Sequence, residues 1–296
     1  MKAHSDAFFT KGSTHTVCQD YARAGVVGPH PIYDIEAGSP FAVLCDGCSS
    51  SKHTDIGVRL LSSITSARLA SGQPLDIDGL ADRSVLRLAK NTAEALGLEV
   101  SCLDATFLVA ECQRDHVRAT MVGDGAAVVL TRSGDAELHV LEHPQNAPFY
   151  PSYRLNLTRH DTYLSTYPAA TRHRVLVRPA GGPWRLEHED DLTPPANPLV
   201  RWPKWPELII PRWSCQMVML LSDGVASFLK TVDTGTSRYQ EAVPIVEVVD
   251  ELLKIKSFAG PFLQRRCQAF LDKFCKAKGW QHADDFSAAA IYMPEL

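Results

Sequence analysis

No apolar run in this chain approaches the roughly 18 residues that a membrane-spanning helix needs, so a helical membrane protein is not expected. The opening Met1-Lys-Ala-His-Ser-Asp is polar and lacks the apolar core of a secretory signal, which makes the cytoplasm the expected location. No basic excess exists either: 30 Lys and Arg stand against 34 Asp and Glu, a net charge of −4. Nucleic acid and anionic membranes are therefore not expected partners. Gly-x-Gly-x-x-Gly and a Walker-type Gly-Lys-Ser/Thr loop are both missing, which removes the usual nucleotide cradles. Internal repeats and low-complexity linkers are absent as well, so residues 1–296 are expected to form one domain.

Cysteine is not scarce. Eight are spread along the chain, and without a signal segment they read as free thiols rather than a disulfide framework. Cys45-Asp-Gly-Cys48 matches C-x-x-C, but no second ligand pair stands at zinc-site spacing. Cys45 reads as a small buried residue and Cys48 as a loop residue.

What the chain does have is a recurring strand end. Phe41 to Cys45 runs into Asp46-Gly47, Ala119 to Val122 into Gly123-Asp124-Gly125, and Met217 to Ser222 into Asp223-Gly224. A fourth, Asp284-Asp285-Phe286, comes just before the apolar run Ser287 to Met293. Short apolar runs bounded by Gly read as buried strands. A carboxylate at a buried strand's end is costly unless something pairs with it. A single Asp-Gly is most simply a turn; repetition at distant points suggests carboxylates converging on a shared cation.

The remaining pattern supplies the frame. Helices are expected over Thr54 to Leu69, with Ile56, Leu60, Leu61 and Ile64 on one face, and over Leu80 to Leu96, with Leu86, Ala89, Ala93 and Leu96 on its apolar side. The runs Ala105–Glu111, Val117–Val122, Ala126–Thr131 and Glu137–Leu141 read as an antiparallel meander. Residues 143–214 are rich in Pro, Trp, Tyr and Arg and read as an irregular insertion, with short strands at Thr162–Ser165 and Arg174–Val177. Trp202 to Trp213 within it is a candidate flap over the cleft. A strand at Gln216–Ser222, helices at Val243–Lys254 and Pro261–Lys276, and a last strand at Ser287–Met293 follow. Strands in runs with helices in pairs before and after them indicate an α+β layered sandwich with antiparallel sheets.

Asp20, Asp46, Asp223 and Asp284 form the candidate constellation. Mg²⁺ and Mn²⁺ want oxygen ligands and keep several waters, a demand met by a few carboxylates and a backbone carbonyl. Gly47, without a Cβ, lets its carbonyl approach an ion closely. Two such ions about 3.5–4 Å apart would activate a water and clamp a phosphoryl group, which points to phosphate ester hydrolysis.

The order Gln19-Asp20, Asp46-Gly47, Gly123-Asp124-Gly125, Ser222-Asp223-Gly224 and Asp284-Asp285-Phe286-Ser287 resembles the metal-dependent protein phosphatase 2C family. That family reads Asn-Gln/Glu-Asp, Val-x-Asp-Gly-x-Gly-Gly, Gly-Ser/Thr-Thr, Gly-Asp-Ser-Arg, Ser-Asp-Gly and Asp-Asn-x-Thr/Ser. The start, Gly12-Ser-Thr-His15-Thr-Val-Cys18-Gln19-Asp20, is similar to a bacterial branch. The resemblance implies a four-layer αββα sandwich and two Mn²⁺ or Mg²⁺ ions between its sheets. It also implies hydrolysis of phosphoserine and phosphothreonine in proteins by a metal-activated water, with a cognate Ser/Thr kinase as counterpart. Carried over position by position, Asp46 bridges both metals and Gly47 lends its carbonyl. Asp223 and Asp284 hold the first metal and Asp20 the second, while Asp124 serves the fold.

Several positions depart from the family. His15 stands where many members have a phosphate-gripping Arg; it is a candidate phosphate contact that would bring pH dependence, or a brace for a turn. The glycine loop is Asp46-Gly-Cys-Ser-Ser, Gly-Ser-Thr becomes Asp104-Ala105-Thr106, and Gly-Asp-Ser-Arg becomes Gly-Asp-Gly-Ala. Residues Glu142 to Asn146 give no match for a third metal. The missing Arg and the altered glycine loop motivate one alternative, a catalytically weak or inactive phosphatase-like domain acting as a regulatory binding module; a hydrolase of small phosphate esters is a third reading.

Overall fold

The computed structural model describes residues 3–29, 38–73, 75, 84–167, 170–193, 206–235 and 237–294. Strand β3 (Pro40–Asp46) shows how the layers arise. Its alternate residues Ala42 and Leu44 join one core, while Phe41, Val43 and Cys45 join another. A strand buried on both faces reads as a continuous apolar run, which is why no polar alternation appears in it.

The first core lies between two sheets. A five-stranded antiparallel sheet has the order β10 (Glu207–Pro211), β5 (His116–Val122), β4 (Phe107–Cys112), β3, β2 (Asp20–Val26). A seven-stranded sheet has the order β1 (His4–Thr10), β15 (Phe286–Tyr292), β11 (Cys215–Leu221), β6 (Gly125–Thr131), β7 (Ala136–Glu142), β8 (Thr171–Arg178), β9 (Arg185–Leu192). Leu44, Leu108, Ala119 and Met121 of one sheet meet Ala127, Val218, Leu220 and Ile291 of the other.

Helices cover both outer faces. Helix α1 (Thr54–Ala70) and α2 (Val85–Ala95) bury Val58, Leu61, Leu69, Leu86, Ala89 and Ala93 against the five-stranded sheet. Helix α4 (Ile245–Leu252) and α5 (Phe262–Ala269) bury Val248, Val249, Leu252, Phe262 and Leu263 against the seven-stranded one. The result is the expected α+β, four-layer αββα sandwich. Among the described residues no helix is long and apolar enough to cross a membrane.

Several expectations need correction. The supposed meander is split: β4 and β5 pair in one sheet, and β6 and β7 pair in the other. The chain changes sheet at Gly123-Asp124-Gly125, where both glycines have positive φ (99° and 120°), a conformation that side chains resist. Residues 143–214 are not irregular throughout, since they include α3 (Leu157–Thr166), β8, β9 and β10. The expected strand at Thr162–Ser165 lies inside α3, whose start is capped by the Asn156 side chain accepting from the Arg159 amide. Trp202 falls outside the described residues; the rest of the supposed flap includes edge strand β10, and Trp213 stands 72% exposed. Leu80 also lies outside them, and Leu96, expected on α2's apolar side, is 60% exposed at its C-cap. The last long helix changes to a π turn at Phe270–Cys275. A three-stranded sheet, β13 (Arg238–Ala242), β12 (Phe228–Asp233) and β14 (Trp280–His282), was not foreseen. Exposed β13 shows no buried alternation that would announce it.

Candidate metal centre

The register of the sheets brings the Asp strand ends to one place. Asp20, first in β2, is paired directly with Asp46, last in β3. In the facing sheet β11 and β15 run antiparallel, and the Ser222 amide donates to the Ser287 carbonyl at 3.1 Å, which sets Asp223 beside Asp284 and Asp285. Gly224 must be a glycine here: a Cβ would sit 1.7 Å from the Asp285 carbonyl oxygen. Gly47 donates its amide to the Gln19 carbonyl at 2.9 Å, and Gln19 Nε2 donates to Thr54 Oγ1 at 2.6 Å. The loop after β3 is thus fastened to the approach to Asp20.

Burial is graded. Asp20 is 1% exposed and Asp124 6%, whereas Asp46, Asp223 and Asp284 are half-buried. Asp124, Asp223 and Asp284 line a cavity of about 450 Å³ together with Glu142, His143 and Arg172. Two larger cavities, about 660 and 590 Å³, lie around α4 and α5, where acidic side chains are ion-paired, as in Arg178–Asp250 and Lys254–Glu251.

The electrostatics follow from this crowding. Burial, seconded by the charge of Asp223, pushes the Asp20 carboxyl up to about 7. Burial and neighbouring carboxylates also raise Asp46, Asp124 and Asp223. Among the described residues no Lys or Arg pairs with any of these four. Ser222, Asp46 and Ser287 lie near enough to Asp20 to offset part of its rise, but neither oxygen of this buried carboxylate makes a hydrogen bond of normal geometry. Burying an unpaired charge is strongly unfavourable, so this all-oxygen group fits a hard divalent cation. The carboxylates are neighbours rather than a finished cage, since no three such side chains among the described residues already surround a single point.

His15 does not point freely into the cleft. Its Nε2 lies 3.3 Å from Asp284 and its Nδ1 3.1 Å from Asp285. Burial works against its charge, but Asp285, Asp284 and Asp20 outweigh it and raise its pKa. Asp285, 2% exposed, also accepts from the Gly12 amide at 2.7 Å and the Gln19 amide at 2.5 Å. It ties the N-terminal loop to the start of β15. The sequence reading assigned Asp285 no role, although the Asp284-Asp285 doublet signalled two carboxylates facing different surroundings.

Asp104 was also undervalued. Its Oδ1 accepts from Ser152 at 2.6 Å, and its Oδ2 accepts from Ser51 at 2.7 Å and from Arg159 at 2.6 Å. Through it the loop after Asp46 is joined to the segment before α3 and to α3 itself. Buried Phe149, Tyr150 and Tyr163 pack there, and Tyr150 approaches Cys48 and Asp124.

The family model described as protein phosphatase 2C matches residues 12–272. The chain belongs to the protein phosphatase 2C family. As such it is a protein serine/threonine phosphatase of a metal-dependent family. No curated protein matches its sequence. Among solved structures, an arginine-to-lysine variant of a bacterial serine phosphatase is similar over 100% of this chain and 99% of its own, with TM-score 0.53 and 13% identity. Serine/threonine phosphatase Stp1 from Staphylococcus aureus is similar over 99% and 96%, with TM-score 0.52 and 13% identity. The serine/threonine phosphatase of S. agalactiae matches over 99% and 100%, with TM-score 0.50 and 12% identity. Identities this low speak for a shared phosphatase 2C fold alone.

Proposed function

We propose that the chain hydrolyses phosphoserine and phosphothreonine in proteins at a binuclear Mn²⁺ or Mg²⁺ centre held by Asp20, Asp46, Gly47, Asp223 and Asp284. The observation that carries this reading is Asp20: a carboxylate 1% exposed, neither oxygen in a hydrogen bond of normal geometry, among further carboxylates that no Lys or Arg of the described residues ion-pairs. When bound there, such a metal pair makes water nucleophilic near neutral pH and offsets phosphoryl charge.

The chain's own residues prepare the place. Asp46 and Asp223 sit half-buried at the ends of strands in opposite sheets, where they can reach ions in the cleft. Asp285 holds His15 and the loop from Gly12 to Gln19, and so positions Asp20. His15, whose pKa its carboxylate neighbours raise, is the candidate phosphate contact, and with its two nitrogens facing Asp284 and Asp285 it acts on substrate phosphate through positive charge at the rim. Arg172, ion-paired with Glu189 at 3.3 Å, lines the same cavity and is a second cation near an anionic substrate. The substrate class is a phosphorylated protein, which implies a Ser/Thr kinase as counterpart. A cytoplasmic setting accords with this role.

The test is release of phosphate from a phosphothreonine peptide with Mn²⁺ added. Activity should require the metal and fall by more than about 100-fold in Asp46→Asn, given that even outer-shell changes at metal sites cost 10–100-fold. Calorimetric titration should show Mn²⁺ binding that Asp46→Asn weakens. Wild-type protein that neither binds Mn²⁺ nor releases phosphate would sink the proposal and favour a non-catalytic binding module. No structural observation favours that module, because a scaffold gains nothing from clustering unpaired carboxylates.

A further inference from the structure

A second set of metal-ligating side chains lies on β7, β8 and β9, and the carboxylate centre uses none of them. Register puts them on one face. His139 pairs across with Val175, and Val175 with His188; Leu141 pairs with His173, and His173 with Asp190. Glu137, paired with Val177, shares that face. It is the inner face of the sheet, since His139 also pairs with Ala127, a residue of the core between the sheets. Three neighbouring strands thus present three imidazoles, one from each, with His173 diagonal to the other two.

The distances are those of a ligand set. His139 Nδ1 and His173 Nε2 are 3.3 Å apart. Two nitrogens each 2.0–2.1 Å from a tetrahedral zinc ion would stand about 3.3–3.4 Å apart. The other nitrogen of His139, Nε2, lies 3.5 Å from Glu137 Oε2. A carboxylate on the far nitrogen is the arrangement that orients a metal-bound imidazole and sharpens its basicity. His188 Nε2 lies 2.6 Å from Asp190 Oδ2, beside His173. His139 is only 8% exposed, whereas the His188 side chain is 56% exposed and its hydrogen-bond partner among the described residues is the similarly exposed Asp190. As they stand the donors are not gathered around one point, and the candidate site is empty. The pair His139–His173 by itself serves as an N–H···N hydrogen bond. Gathering a third donor takes rotation of the exposed His188 imidazole, with Asp190 following.

We propose that His139, His173 and His188, completed by Asp190 and oriented through Glu137, bind one divalent transition-metal ion of the zinc type. Imidazole-rich donors select such ions over Mg²⁺ and Mn²⁺, which prefer all-oxygen surroundings. The site is therefore chemically distinct from the aspartate centre. It would cross-link the three outermost strands of the seven-stranded sheet. Those strands also lead to the catalytic cleft: Glu142 at the end of β7 and Arg172 near the start of β8 line it, and they are cross-strand partners. An ion at the histidines would hold that wall of the cleft in place.

The experiment uses full-length Asp46→Asn/Asp223→Asn protein, which removes the competing carboxylate centre, titrated with Co²⁺ and then Zn²⁺. One equivalent of Co²⁺ should give the intense visible bands of a tetrahedral site, and one equivalent of Zn²⁺ should abolish them. His188→Ala, a change at an exposed position that leaves the core untouched, should weaken Co²⁺ binding by about 10-fold or more. His173→Ala should remove the bands altogether; if that variant fails to fold, Asp190→Asn, also exposed, takes its place with a weakening similar to His188→Ala. Absence of tetrahedral bands in the double variant, or bands indifferent to both His188→Ala and Asp190→Asn, overturns the proposal. The result stands apart from phosphatase activity, which the double variant is expected to lack.

Discussion

Asp20 concentrates the physics of the site in one side chain. Its carboxyl is raised from an ordinary 3.8 to about 7 in the folded chain. The folded protein therefore holds a proton that the unfolded chain releases between those values. Stability from this group is fully present below about 3.8 and is lost as pH rises through 7. His173 works in the opposite sense: burial lowers it to about 4 from 6.5, so its contribution is lost as pH falls between those values. Metal-free wild type should accordingly gain melting temperature on acidification from pH 8 to pH 5 relative to Asp20→Asn, which lacks the titrating carboxyl. Equal pH slopes for the two proteins would contradict an unpaired, buried Asp20. A second residue-scale expectation concerns Asp285. Replacing it with Asn should let the raised His15 pKa fall back toward 6.5 in an NMR titration. The same change should cut kcat/KM by about 10–100-fold with the fold intact, as loss of a positioning residue does. At this scale the placing of Asp46, Asp223, Asp20 and Asp284 beside strand ends was legible from motif order, because each stands next to an apolar run in the chain itself; that they serve as ligands is the proposal above. Asp285 and Asp104 were not, because their partners, Gly12, Gln19, Ser152 and Arg159, are remote in sequence.

At the level of elements, the site depends on how closely β11 and β15 approach. Gly224→Ala would force its Cβ against the Asp285 carbonyl at 1.7 Å, so backbone must move. Overpacking of this kind costs about 1–3 kcal/mol. Chemical denaturation should show that loss, and Mn²⁺ affinity should drop with it because Asp223 moves too. Unchanged stability and affinity would mean the two segments are less tightly locked. Elements with a buried periodic face, such as α1 and β3, could be read in advance, since their pattern records what they pack on. Helix α3 was mistaken for a strand because a short aromatic segment carries no period long enough to tell the two apart. Its capping by Asn156 and its ring contacts, Tyr163 with Tyr153 and Tyr167, decide the matter. Strands β9 and β13 are mostly exposed and so left no apolar trace.

For the whole molecule, the cleft is a place where two sheets deliver several carboxylates, and among the described residues no Lys or Arg is ion-paired with Asp20, Asp46, Asp124 or Asp223. Ions that bind only the folded state should therefore stabilise it strongly. At a concentration about 100 times the dissociation constant the gain is about 2.7 kcal/mol, an increase of roughly 4–5 °C in Tm for a chain of this size. A thermal melt with and without Mn²⁺ measures this, and Asp46→Asn/Asp223→Asn should show a much smaller shift. The sequence by itself determined the layered class, the order of the aspartates and the family they resemble, because local periodicity and turn chemistry are written in neighbouring residues. Only the tertiary structure decided which sheet each strand joins, that Asp124 lines the cavity, that His15 rests on Asp284 and Asp285, and that three histidines share a face. Those outcomes depend on register and on close approach between residues far apart in the chain, where a shift of one position would send a side chain to the opposite face.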